Sequence, residues 1–256
     1  MPSDPLTGPT VSIPTAPTQG PALLAASLGA WATNCVVLGD RARAEAVIVD
    51  PGQGASEAIP GLLARLGVRP VAILLTHGHL DHLWAAPALA RAHGIPVHLH
   101  PADTWLWTSP PAAFGPGGDG LAAGFGFAGW DTDGVEVAPL SDGQRLALAG
   151  IELTVHHTPG HTPGHVTFTT GDLAGRSIEL DGAALEAPAQ VLLAGDLIFA
   201  GSIGRTDLAG GDPQAMMRSL RRTMAEHDDP TLVIPGHGPA TRVGDERVSN
   251  PFLEER

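Results

Sequence analysis

The chain contains no lysine and no tyrosine, and all 14 of its basic residues are arginine. A catalytic lysine, a Schiff base and a lysine-dependent phosphate loop are therefore excluded. Cysteine occurs once, as Cys35. No internal disulfide framework and no cysteine-rich zinc site can be built from it. Positive charge is scarce: 27 acidic residues against those 14 arginines leave a net charge of −13. Such a chain lacks the basic footprint of a nucleic-acid or anionic-membrane binder. No apolar run approaches the ~20 residues of a membrane helix. No arginine precedes Arg41, and the apolar stretch Leu23–Leu28 is short, so the beginning does not read as a secretory signal. The expectation is a cytoplasmic protein without nucleic-acid or membrane partners; the sequence assigns no oligomeric state.

What is present suffices for a core, since 43% of the 256 residues are hydrophobic. Residues 1–20 are rich in Pro, Thr, Ser and Gly and read as a tail or arm. Residues 21–256 read as one domain. Short, β-branched apolar runs at Ala46–Val49, Val71–Leu75, Ile151–Val155, Val191–Ala194 and Leu232–Ile234 predict buried strands. Asp212-Pro213 is a helix start, followed by Met217, Leu220 and Met224 at helical spacing. Ala85–His93, stopped by Gly94, and residues 60–66 predict two further helices. Gly171–Ala189 reads as a hairpin or insert. Ser109–Gly129, crowded with Pro, Gly and Phe, reads as a long loop, either over the site or remote from it, or as a segment that hides a short helix.

Each predicted strand runs into a Gly- or Pro-containing turn that bears His or Asp. The turns are Asp50-Pro51-Gly52, Thr76–His82, His156–His161, Gly195-Asp196 and Pro235-Gly236-His237. Strands that share a sheet would bring these groups to one edge, where rigid scaffolds place chemistry.

The most informative turn is His77-Gly78-His79-Leu80-Asp81-His82. Twelve histidines in 256 residues give about a 0.002 chance of His at both +2 and +5 from a given His. Four polar groups behind a buried strand need partners, and a metal supplies them. His77 and His79 can bind one ion, and Asp81 and His82 a second. His161 can complete the first half-site and His237 the second. Asp196, with two carboxylate oxygens, suits a bridge. A metal pair ~3.5–4 Å apart holding a hydroxide is hydrolytic machinery. The expected cofactor is two divalent ions, zinc first, with iron or manganese as alternatives. Asp50 and His165 read as supports that hydrogen-bond around the site. His156 reads as structural, and His93, His98, His100 and His227 as surface or strand histidines. Cys35 reads as a small buried hydrophobe.

Several segments carry a family resemblance: Asn34-Cys35, Val49-Asp50-Pro51-Gly52, Thr76–His82, Thr158–His165, Gly195–Phe199, Gly204-Arg205-Thr206-Asp207, Pro235-Gly236-His237-Gly238 and Asn250-Pro251-Phe252-Leu253. The chain resembles the metallo-β-lactamase-fold hydrolases, and within them the compact bacterial form of the glyoxalase II-like (hydroxyacylglutathione hydrolase-like) branch. The resemblance implies an α/β fold, an αββα sandwich of two facing mixed β-sheets flanked by helices. It implies His77, His79 and His161 on one metal, Asp81, His82 and His237 on the other, and Asp196 between them. Asp81 also helps to orient the attacking hydroxide. The implied substrate is a small-molecule thioester, an S-2-hydroxyacyl thiol.

The chain also departs from glutathione-thioester hydrolases. Those use Lys and Tyr on the substrate and a helical C-terminal extension, whereas nineteen residues follow His237 here. The alternative reading is a persulfide dioxygenase, which holds a single iron on two His and an Asp and shares the Gly204–Asp207 run. A β-lactamase, a nuclease of this fold and a non-catalytic metal-binding module are weaker readings. The −13 charge opposes the nuclease.

Overall fold

Every residue of the strand Thr33–Asp40 is buried, and period-two alternation sorts its side chains onto two faces. Val36 and Leu38 join one apolar cluster, while Cys35 and Val37 join another. The same division runs through Ala46–Val49: Val47 and Val49 face the first cluster and Ala46 and Ile48 the second. A strand covered on both faces lies in the middle of a layered fold. The structure is a computed structural model and describes residues 20–186 and 188–253. Residues 1–19 of the expected tail lie outside that range.

Eight strands form the first sheet. Their spatial order is Ala183–Leu185, Ser177–Leu180, Pro21–Leu28, Thr33–Asp40, Glu45–Val49, Arg69–Leu74, Val97–Leu99 and Val137–Pro139. Six form the second: Thr241–Arg242, Leu232–Pro235, Val191–Gly195, Val166–Thr170, Ile151–His157 and Arg145–Leu148. Both sheets mix parallel and antiparallel pairs. Between them lies a core of Leu38, Val49, Leu74, Val155, Phe168, Leu193 and Ile234, among others. Outside the first sheet, Ile59 and Leu63 of the helix Ala55–Leu66 and Leu89 of the helix Ala86–His93 cover Val37, Ile48 and Ile73. Outside the second, Met216 and Leu220 of the helix Pro213–Glu226 cover Leu192, Ala194 and Val233. Helix, sheet, sheet and helix follow in layers, as expected.

The five predicted strands and the helix after Asp212 are present. The Asp212 side chain caps that helix by accepting from the backbone N–H of Gln214 and Ala215. Its buried methionine is Met216, with Met217 and Met224 half-buried beside it. Residues 60–66 belong to a longer helix that begins at Ala55. Pro60 sits inside it rather than at its start, on an exposed position where the carbonyl it cannot pair meets water.

Ser109–Gly129 is not an irregular loop. It folds into a 3₁₀ turn, Pro110–Phe114, and a helix, Gly118–Gly124. Glycines hide that helix from a propensity reading, but Gly118 packs so closely on Pro111 that a Cβ would overlap the Pro111 carbonyl. Gly171–Ala189 contains the hairpin Ser177–Leu180/Ala183–Leu185, which extends the first sheet beside Pro21–Leu28. Among the described residues, no helix is long and apolar enough to cross a membrane.

Candidate metal centre

The turn after Arg69–Leu74 is wholly buried from Leu75 to Leu80, and the sandwich edge at which it sits collects every polar turn named above. His77 Nε2, His79 Nδ1 and His161 Nε2 form a triangle with edges of 3.1, 2.8 and 3.2 Å. A cation at ~2.0–2.1 Å from tetrahedral nitrogen ligands holds them about 3.3 Å apart. The triangle therefore has dimensions that fit a divalent cation. Burial holds His77 well below the usual imidazole range and His79 down to about 3, so both rings are neutral and each keeps one lone pair for a cation.

A second triangle abuts the first. His82 Nε2, His237 Nε2 and Asp81 Oδ2 stand 3.2 to 3.4 Å apart. Asp196 lies between the two, with Oδ1 3.3 Å from His82 Nε2 and Oδ2 3.4 Å from His161 Nε2. Its buried Oδ1 accepts no hydrogen bond. An orphaned carboxylate oxygen beside converging ring nitrogens is the donor set of a divalent cation site. The residues fit such a group.

The two triangles differ electrostatically. Burial alone would lower His82, but Asp81, Asp196 and Asp50 carry it well above its ordinary value. His237 is raised to about 9 against its own burial, by the hydrogen bonds it donates to Asp196 and Asp81. Burial opposes ionisation of Asp81, yet His82 and His237 bring it down to about 2. Without metal, protons thus stand where a second cation would sit, while His77 and His79 in the first triangle are already neutral.

The partner of each ring's other nitrogen sets its tautomer. His77 Nδ1 donates to Thr76 Oγ1 at 3.0 Å, and Thr76 Oγ1 donates to Asp50 Oδ2 at 2.7 Å. His82 Nδ1 donates to the same Asp50 oxygen at 3.0 Å. His161 Nδ1 donates to the Arg205 carbonyl, and His237 Nδ1 to the Trp31 carbonyl. His165 is neutral and fully buried; its Nδ1 donates to Thr158 and its Nε2 accepts the Asp196 backbone N–H. Asp50 and His165 therefore hydrogen-bond to side chains and backbone around the two triangles.

All seven expected ligands converge. The remaining histidines do not join them. His156 pairs with Thr169 within the sheet. His227 is not a surface residue: it is buried and bonds the Thr223 carbonyl. Cys35 is fully buried, and burial pushes its thiol far up.

Sequence reading missed Asp103. Its carboxylate is fully buried and accepts from Gly78 N–H, Thr162 Oγ1 and Gly164 N–H, at 2.9, 2.7 and 2.7 Å. It ties the turn of His77 and His79 to the turn of His161. Nothing in Pro101-Ala102-Asp103 distinguishes it from an ordinary turn aspartate. Asn34 was noticed only as part of a motif. Its Nδ2 donates to the Pro235 and Gly238 carbonyls and so holds the turn that carries His237. Within that turn, a Cβ at Gly236 would overlap the Asp196 carboxylate.

Over both triangles opens a cleft of about 330 Å³. His79, Asp81, His161, Asp196 and His237 form its floor, and Trp31, Phe114, Phe199, Ile203 and Leu208 most of its wall, with Ser202 and Arg205. Phe114 comes from the Ser109–Gly129 segment, and Phe125 of the same segment packs on Trp31 at 4.2 Å between ring centroids. That segment does reach the site, as a helical wall.

The chain is similar to an uncharacterized protein of Mycobacterium tuberculosis, 41% identical over 227 residues that cover 88% of this chain and 95% of the relative. It is 32% identical to the hydroxyacylglutathione hydrolase GloC of Haemophilus influenzae, over 89% of this chain and 95% of that one. Among solved structures it is similar to BLEG-1 B3 metallo-beta-lactamase, with 34% identity, a TM-score of 0.73, and coverage of 91% of this chain and 100% of the other. It is likewise similar to TTHA1623 in a di-iron-bound form, with 37% identity, a TM-score of 0.67, and coverage of 89% and 98%. The family model of the metallo-beta-lactamase superfamily matches residues 28–173, and with the layered fold and the clustered His and Asp donors, the chain belongs to that superfamily.

Proposed function

We propose that this chain is a hydrolase of thioesters, of the glyoxalase II-like kind, working with two divalent metal ions. The observation that carries the reading is the pair of abutting triangles with Asp196 between them. His77, His79 and His161 would hold one ion and Asp81, His82 and His237 the other. Zinc suits the imidazole-rich first seat; iron is the main alternative, given the di-iron form of TTHA1623. When bound, such a pair supplies a water of lowered pKa and a Lewis acid for the carbonyl oxygen.

The chain's own residues do the rest. Asp81 and Asp196 orient the attacking water by accepting its hydrogens. The Thr76–Asp50 relay and the Arg205 and Trp31 carbonyls keep the four rings in one tautomer and one orientation. Departure of the product selects the bond. The cleft wall offers no Lys, Tyr or Cys to protonate a leaving group. A thiolate leaves unaided because a free thiol has a pKa of about 8.5, whereas an amine or alkoxide does not. This favours a thioester over a β-lactam amide, despite the likeness to BLEG-1. The relative GloC is named for such an activity.

A single-iron persulfide dioxygenase is the rival, and it leaves Asp81, His82 and His237 without a task. The deciding experiment measures metal content and then assays the same sample on a thioester panel and for oxygen uptake with persulfide. Two metals with thioester cleavage support the proposal. One iron with oxygen uptake and no thioesterase activity refutes it.

A further inference from the structure

The cleft wall carries information about substrate that the metal seats do not. Opposite the polar floor, the wall is built from Trp31, Phe114, Phe199, Ile203 and Leu208. Apart from the floor histidines, Arg205 is the one cation among the described residues that line it. That guanidinium is already committed: Nε and Nη2 donate to the two oxygens of Asp207 at 2.7 and 2.8 Å. Arg205 in turn draws the Asp207 carboxyl down to about 2, so the pair stays ionised and mutually neutralised at any ordinary pH. An anionic substrate group would meet a guanidinium whose charge Asp207 already offsets. The chain's net charge of −13 adds a long-range repulsion against anions.

Building on the thioesterase reading, we infer that the cleft takes thioesters with an apolar aliphatic or aryl acyl group on an uncharged thiol. Among the described wall residues, the tripeptide charge of glutathione and the phosphates of a nucleotide thiol find no cation that lacks a carboxylate partner. Burial against Trp31, Phe114 and Leu208 rewards added hydrocarbon on the acyl side. The Arg205–Asp207 pair is exposed and offers the cleft no net charge.

The experiment uses the full chain at measured metal content and four substrates: lactoyl and hexanoyl thioesters, each on glutathione and on the neutral thiol N-acetylcysteamine. Hexanoyl esters are expected to exceed lactoyl esters in kcat/KM by at least about tenfold on either thiol. Glutathione esters should do no better than N-acetylcysteamine esters. Their kcat/KM should rise as salt screens the repulsion, while that of the neutral esters stays flat. A preference of about tenfold or more for glutathione esters, with rates that fall as salt is added, would overturn the inference, because it reports recognition by a cation. Asp207→Asn frees Arg205 and is expected to raise the ratio of glutathione to neutral-thiol rates several-fold. An unchanged ratio would overturn the role given to the pair.

Failure of the thioesterase reading looks different: none of the four esters is cleaved. The inference is then still decided by binding. The non-hydrolysable S-hexyl thioethers of N-acetylcysteamine and of glutathione are titrated against the fluorescence of Trp31, taken as the difference between wild type and Trp31→Phe. Tighter binding of the neutral thioether supports an apolar, charge-indifferent cleft. Tighter binding of the glutathione thioether overturns it.

Discussion

One oxygen of Asp50, Oδ2, accepts a hydrogen bond from His82 Nδ1 at 3.0 Å while it also takes the Thr76 hydroxyl at 2.7 Å. Through Thr76 it reaches His77 in the first triangle, and through His82 it reaches the second. A single buried carboxylate therefore sets the tautomer of a ring on each side of the site. Asp50→Asn keeps the shape and can still accept from Thr76 N–H. Its amide would turn a donor toward His82 Nδ1–H, where two donors clash, or orphan the Thr76 side. Supporting partners of this kind typically contribute 10–100-fold in metal affinity. The expected result is a loss of about 10–100-fold at both seats, read by competition with a chromogenic chelator. A loss confined to one seat would show that the two are not coupled through Asp50.

Asp103 makes a different prediction, about the frame rather than the rings. Asp103→Ala leaves Gly78 N–H, Thr162 Oγ1 and Gly164 N–H buried without their acceptor. At ~1–3 kcal/mol for each unsatisfied group, the variant should lose about 3–5 kcal/mol, somewhat relieved by water entering the gap. For a domain of this size that lowers the thermal midpoint by roughly 10 °C. First-seat affinity should fall too, since His79 and His161 would no longer be held in register. Melting curves and metal titrations test both effects, and a midpoint within a degree or two of wild type would contradict the role assigned.

Asp103 also marks how far the sequence was legible. The donors were readable because histidine is uncommon, and because each donor follows a run of β-branched or aliphatic residues into a Gly or Pro turn. The two-faced strands around Ala46–Val49 and Val191–Ala194 were readable for the same reason. Asp103 was not, since its three partners come from turns that only the tertiary fold brings within reach. Two of the ring-orienting acceptors, on Arg205 and Trp31, are backbone carbonyls, which any residue supplies. The helix Gly118–Gly124 was hidden by its composition: glycine argues against a helix locally, and packing on Pro111 outweighs that preference. Thr33–Asp40 was not among the predicted strands, because Thr33, Asn34 and Asp40, polar yet buried, interrupt its apolar pattern.

The unequal charge of the two triangles predicts unequal proton release. At pH 7 in the metal-free protein, His82 and His237 hold protons, being raised, the latter to about 9. His77 and His79 do not, His79 having fallen to about 3. The second seat must shed protons to bind, whereas these two rings of the first have none to shed. Calorimetric titration in buffers of different ionisation enthalpy should show proton release concentrated in the weaker metal equivalent. The affinity of that equivalent should climb between pH 6.5 and 9, by up to about tenfold per pH unit for each proton displaced. Equal release with both equivalents would refute the assignment.

The same shifts give the metal-free protein a stability that depends on pH in a stated direction. His237 has its folded pKa raised from 6.5 to about 9. Its contribution is complete below 6.5 and is lost as pH rises through 9, where the folded state must release a proton that the unfolded state has already lost. His79 behaves oppositely, with a folded pKa lowered to about 3. Its unfolded form takes up a proton below 6.5 while its folded form cannot, so stability falls as pH drops from 6.5 toward 3. Asp81, lowered to about 2, contributes above its ordinary value of 3.8 and ceases to do so as pH falls through 2. Together these place the optimum of the metal-free protein near about pH 6.5, with a decline on both sides. Filling the second seat removes the alkaline decline, because a cation then takes over the task of the His237 proton between Asp81 and Asp196. Urea unfolding from pH 4 to 10, with and without metal, reads this directly. An alkaline limb of the same slope in both forms would mean that the His237 proton and the metal do not compete for one place.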